Sequence, residues 1–168
     1  MKNEKEIPLE SFDSEQWEKY LGAYGNMSGV TNAFMEHPED KKLAESVYEG
    51  INHQMSFYSA IYLVMPYLVK LLEQKISSGD TEWAEYCLFN IGMTIASDNW
   101  ITRRGYKKEK VPDDLKKNYK LCLKKVRKIA GYFYKENKSK LKHKEESSIA
   151  KLAFKGFRIL VYEFVIHV

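Results

Sequence analysis

Histidines, cysteines and paired carboxylates carry much of protein chemistry, and in this chain none stands at a spacing that serves it. His37, His53, His143 and His167 make no HExxH arrangement for a metal and its general base, and no GxSxG elbow or phosphate-cradling glycine loop occurs. Cys87 and Cys122 form neither a CxxC nor a zinc-type Cys/His spacing, so both are expected as reduced, buried thiols. The 23 Asp and Glu residues could supply a general acid and base only within a cleft, which spacing does not reveal. The expectation is a non-enzymatic protein with no catalytic residue, no metal and no cofactor, its histidines at the surface or at caps.

What the chain does carry is charge, unevenly distributed. Residues 1–100 hold 7 Lys+Arg and 16 Asp+Glu, whereas residues 101–168 hold 20 and 7, so a balance of −9 precedes one of +13 behind a net charge of +4. Such asymmetry bears on association, because complementary fields steer encounter and reject wrong partners. Glu45 and Glu49 lie on the side of their helix away from Leu43, Val47 and Ile51. With Glu82 and Glu85, and with Glu36 and Glu39 adding to them, they are either a solvated face or an acidic docking face. Phe89, Trp100 and Tyr106, with Arg103 and Arg104, are of the residue types considered as binding anchors. A plain loop is the alternative for the 99–110 stretch. Lys116, Lys117, Lys120, Lys124, Arg127 and Lys128 are open to three readings: a soluble face, a track for phosphates, or a surface for a protein partner.

Helices must hold these groups, since no stretch alternates as a strand does. A helix over Glu15–Leu21 ends in Gly22, Gly25, Ser28 and Gly29, and Pro38 opens a second that runs to about His53. A third spans Phe57–Ile76, and Asp80 or Thr81 caps a fourth over Thr81–Ser97. After a basic linker, Pro112 and Asp113 start a long helix to about Lys135. A charged turn through Lys144 leads to a last one over Glu145–Ile166. In the long helix Leu115, Tyr119, Cys122, Val126, Ile129 and Phe133 step by threes and fours and form its buried stripe. The third and fourth helices are apolar around most of their circumference and should be covered on two sides. In the fourth, Trp83, Cys87, Ile91 and Thr94 make one stripe and Phe89, Met93, Ala96 and Trp100 another, which is either a second packed face or an exposed binding patch.

Met55–Val69 runs fifteen residues without a charge, short of the roughly 18–20 a membrane span requires, and is expected as a buried core helix. Met1–Glu10 is charged and lacks the apolar core of a signal peptide, which points to a cytoplasmic protein.

Leu21-Gly22-Ala23-Tyr24-Gly25-Asn26, Leu43–Tyr48, Ile51-Asn52-His53-Gln54 and Ala60–Leu72, with Pro66-Tyr67-Leu68-Val69 inside, resemble the opening helices of bacterial HEAT-like repeat proteins. In those a tyrosine-glycine turn precedes a helical pair and a proline lies within the following apolar helix. The resemblance covers roughly Trp17–Glu73. It implies an all-α fold of HEAT-like stacked pairs, a short solenoid of about six or seven helices. The chain would be one domain, HEAT-like over 14–98, with a basic linker over 99–111 and two helices over 112–168. Small members of such families recur as immunity proteins that neutralise toxins, including those of contact-dependent growth inhibition systems. The resemblance therefore implies a cognate protein toxin as partner rather than a small-molecule substrate or a membrane, and the acidic first hundred residues point to a basic nuclease domain whose active site is occluded. The alternatives are a nucleic-acid-binding helical protein akin to DNA-repair glycosylases, and a general interaction scaffold.

Overall fold

The computed structural model describes residues 6–53, 56–103 and 111–142. Six helices and one short ladder follow in order: α1 (Gln16–Lys19), α2 (Ser28–Glu36), α3 (Lys41–Ile51), β1 (Asn52–His53), β2 (Ser56–Phe57), α4 (Ile61–Ser77), α5 (Thr81–Arg103) and α6 (Asp113–Lys142). The chain is predominantly helical, and β1 and β2 pair antiparallel over only two residues each.

The apolar run becomes α4, in which twelve of seventeen residues are buried. A helix apolar on every side needs neighbours on every side, and α2, α5 and α6 all pack against it. Leu68, Leu71 and Leu72 are almost wholly excluded from water, which is worth about 1.5–3 kcal/mol for each. Pro66 sits beyond the first turn, where its missing N–H removes a helical hydrogen bond. Among the described residues no helix is long and apolar enough to cross a membrane.

Several boundaries differ from the sequence expectation. Ser28 and Gly29 do not terminate a helix but open α2, because the Asn26 carboxamide oxygen accepts hydrogen bonds from the Ser28 N–H and hydroxyl at 2.8 Å each. Asp40, rather than Pro38, starts α3: its carboxylate accepts from the Lys42 and Leu43 N–H groups at 2.8 and 3.3 Å. His53 leaves the helix for β1, and Phe57 belongs to β2 ahead of α4. α5 runs on to Arg103 and α6 to Lys142, past the expected ends at Ser97 and Lys135. The expected helix over 145–166 lies outside the described residues. Asp80 caps α5 as expected, accepting from the Trp83 N–H at 3.2 Å.

Two fastenings fix the helices relative to one another. Before α1, Phe12 stacks on Tyr67 of α4 with ring centroids 4.6 Å apart, and the Tyr67 hydroxyl donates to the Glu10 carbonyl. The Trp17 indole N–H then holds the Ser11 carbonyl at 2.9 Å, so a strap of chain is tied across α4.

The second fastening is the Gly22–Gly25 turn, closed by Gly22 N–H donating to the Gly25 carbonyl at 2.9 Å. Ala23 N–H reaches the Gly50 carbonyl at the end of α3, at 2.8 Å. Gly25 has φ near 110°, which glycine alone adopts without strain. Met27, only 3% exposed, packs against both Gly22 and Gly50.

A Cβ at Gly22 would stand 2.7 Å from the Gly50 carbonyl oxygen, whereas a Cβ at Gly50 would meet only the Met27 side chain. Gly22→Ala is therefore expected to lower unfolding free energy by about 2 kcal/mol in urea titration. Most of that loss should persist in a Met27→Ala background. The Gly50→Ala penalty should instead shrink there, because the flexible thioether is its only obstacle.

Candidate functional site

On α5, Glu82, Glu85, Tyr86 and Phe89 fall on one face by the 3.6-residue repeat. Glu82 is exposed and the other three are half-buried. On α3, Lys41, Glu45 and Glu49 recur every four residues along an exposed edge, while Ala44, Val47 and Ile51 point into the core. The two helices meet where the Tyr48 and Tyr86 rings pack edge to face, centroids 5.7 Å apart and 78° between planes. Two packed helices, each carrying two of these carboxylates, thus meet at one aromatic contact.

The aromatic contact extends inward. Tyr86 meets Trp83 at 90° and 5.2 Å, and Trp83 tilts against Phe34 of α2 at 6.4 Å. The Lys75 ammonium lies 5.4 Å from the centre of the Trp83 ring. Its side chain is buried, paired with Glu39 and, at 3.4 Å, with Asp80. Burial alone would lower the Lys75 pKa, but the hydrogen bonds and charges of Glu39 and then Asp80 outweigh it and raise it. Glu39, proposed from sequence as an addition to the docking face, is committed to this internal pair. Glu36 is exposed at the end of α2.

Between the helices a pit of about 160 Å³ is lined by Lys41, Glu82, Trp83 and Tyr86. Burial first, then the Glu45 charge, raise the Tyr86 pKa, which places Glu45 within electrostatic reach of the pit. Tyr48 is raised further, by burial and then by the Cys87 thiol against which its hydroxyl lies.

The residues singled out from sequence divide into separate groups. Glu82 lines the pit and Glu45 acts on Tyr86 beside it. Glu49 lies one turn beyond Glu45 on the exposed edge of α3, and Glu85 is half-buried on α5. Phe89, one turn past Glu85, is partly buried against the core. Trp100 falls about 27 Å along the helix axis from Glu82, at 1.5 Å per residue, and Arg103 further still. The Trp100 and Arg103 side chains lie outside the described residues, as do Arg104 and Tyr106 entirely. Trp83, Cys87, Ile91 and Thr94 form the buried stripe the sequence indicated. On α6, Lys116, Lys117, Lys120, Lys124 and Lys128 are exposed, whereas Arg127 is half-buried and does not belong to that outer row. Tyr48, Tyr86 and Lys41 were not anticipated. The alternation Glu82-Trp83-Ala84-Glu85-Tyr86 was the one signal that could have pointed to Tyr86.

No group of three or more His, Cys, Asp or Glu side chains among the described residues could hold a metal ion. His53 accepts from or donates to the Tyr24 hydroxyl through Nδ1 at 2.9 Å, beside the glycine turn, and Tyr24 is 69% exposed. A larger groove of about 660 Å³ lies between the N-terminal strap, α4 and Lys125, which pairs with Glu73 at 2.7 Å. Apolar side chains line it with this pair and with Glu6 and Lys70. No protein-family model matches the chain, and neither the curated proteins nor the solved structures give a match.

Both cysteines are buried and unbridged, and burial pushes Cys87 up to about 11 and Cys122 up to about 12 from an ordinary 9.0. Near neutral pH both thiols are essentially protonated, folded or unfolded. Above it the unfolded chain loses protons that the folded chain keeps, so stability must fall as pH rises from about 9 toward 11. The Lys75 contribution, held by a raised pKa, is lost in the same direction as the ammonium deprotonates. Urea midpoints should therefore decline through that window. Cys87→Ala with Cys122→Ala should flatten part of the decline, and Ellman's reagent at pH 8 should label the wild-type thiols only as the protein unfolds.

Proposed function

We propose that this chain is a non-enzymatic, cytoplasmic immunity protein of HEAT-like architecture that binds one cognate toxin, a nuclease with a basic cleft, and occludes its active site. The observation that carries the reading is the acidic surface of two helices that meet at the Tyr48–Tyr86 contact, with Glu45 and Glu49 exposed on α3, Glu82 exposed on α5 and Glu85 half-buried beside it. A nuclease cleft is cationic because it holds phosphates, so carboxylates presented on a preformed surface can take the place of the substrate backbone. This surface needs no reaction chemistry to inhibit. Its exposed charges would act mainly on the association rate, and its aromatic centre on the lifetime of the complex.

The helix contacts support stacked pairs. α2 packs on α3 and α4 on α5, while α2 also packs on α4 and α3 on α5. First helices touching first, and second touching second, is the pattern of neighbouring repeats in a solenoid. The α6 contact with α4 continues the row.

A second reading, binding to nucleic acid, is favoured by the exposed row Lys116, Lys117, Lys120, Lys124 and Lys128 on α6, spread over about 18 Å of helix. The deciding experiment captures the tagged chain from cells that co-express the product of the adjacent open reading frame, with a salt titration on DNA and RNA in parallel. The immunity reading expects a one-to-one complex that abolishes the partner's toxicity. With Glu45→Lys and Glu49→Lys, association at low salt should slow by about tenfold or more, and the difference should shrink at high salt. Absence of a protein partner, together with nucleic-acid binding that falls steeply with salt and is lost in Lys120→Glu with Lys124→Glu, would replace it with the second reading.

A further inference from the structure

The pit beside the Tyr48–Tyr86 contact has a shape and lining more specific than a charged surface. Its volume of about 160 Å³ is the room of about five waters in the liquid, enough for one long side chain and too little for a folded segment. Two aromatic side chains and a carboxylate line it, and the Glu45 charge acts on the same Tyr86 hydroxyl. Trp83 is 8% exposed and already has an ammonium near it from the protein's own Lys75. Tyr86, half-buried, offers the more open ring. An aromatic floor with anionic edges suits a cation that is planar and weakly hydrated, which describes guanidinium better than ammonium.

Lys41 is the one basic residue in the lining, and it stands one helical turn before Glu45. Against Glu82 in the lining and Glu45 beside it, it leaves the local balance at −1. Its flexible stem allows the ammonium to move out when another cation arrives.

We propose that this pit receives one arginine side chain of a protein partner, its guanidinium lying on Tyr86 and paired with Glu82 and Glu45, and that Lys41 is the internal competitor it displaces. The proposal rests on the reading of the acidic surface as a protein-docking face, and names the group that enters it. Specificity would then come from one planar cation at a fixed place, with the remaining acidic charges serving encounter.

The probe is N-acetyl-arginine amide, compared with the lysine and glycine analogues, titrated into the isotopically labelled full chain and followed by NMR. The expected result is saturable, roughly millimolar binding of the arginine compound, with shifts centred on the Tyr86 ring and the Trp83 indole and weaker effects from lysine. Glu82→Gln, at an exposed position, and Tyr86→Leu should each weaken it about two- to fivefold, while Lys41→Ala should tighten it by a similar factor. Equal shifts with all three compounds, shifts centred elsewhere, or none would overturn the proposal. A toxin complex whose affinity ignored Tyr86→Leu and Glu82→Gln would also overturn it and leave the immunity reading standing. Arginine-selective binding in the pit without any protein partner would do the reverse.

Discussion

The constraint on which the rest of the structure depends is that the first half of α4, residues 61–69, has no side fit for water, every one of its residues being buried. An amphipathic helix can float on a protein surface, as the exposed Lys70, Gln74 and Ser77 let the second half of α4 do along one side, but a stretch with aliphatic and aromatic residues around its whole circumference must be enclosed. α2, α5 and α6 supply walls, and the strap before α1 crosses near Tyr67. The buried Lys75 near its end is tolerated because Glu39 from beyond α2 and Asp80 from the next turn both reach it. A lone ammonium there would be costly, and its two partners come from elements that already had to cover the helix.

Enclosure also sets where the two signs of charge meet. α5, which carries Glu82 and Glu85, and α6, which carries the lysine row, both pack on α4. Lys125 of α6 pairs with Glu73 of α4, so the acidic first hundred residues and the basic remainder face each other at that seam.

Much of this was legible in residue order, and the failures have specific causes. The stripe Leu115, Tyr119, Cys122, Val126 and Phe133 is buried as its spacing indicated, with Ile129 half-buried at its margin, because a long helix with one wet face repeats its signal many times. α2 was hidden because Ser28-Gly29 reads as a breaker unless Asn26 is seen to satisfy the Ser28 N–H. The extra turns of α5 and α6 consist of residues that loops and helices share. At the site, Glu45, Glu49 and Glu82 are exposed and Glu85 is half-buried, and the pit was not legible, because Tyr48 and Tyr86 lie 38 residues apart and nothing in either neighbourhood names the other. Glu39 was equally opaque: its pairing with Lys75, 36 residues away, is a tertiary contact that its own neighbourhood does not announce.

The strap that Tyr67 and Trp17 hold in place has a consequence during synthesis. Its anchor points, Glu10 and Tyr67, are 57 residues apart, so the N-terminal stretch leaves the ribosome well before the helix it must cover. At common elongation rates of about 5–20 residues per second, the interval is about 3 to 11 s. Ile7, Phe12 and Trp17 spend that interval without their final neighbours. The nascent chain thus presents its apolar N-terminal residues to the cell's chaperones first, and they are withdrawn only once α4 has emerged.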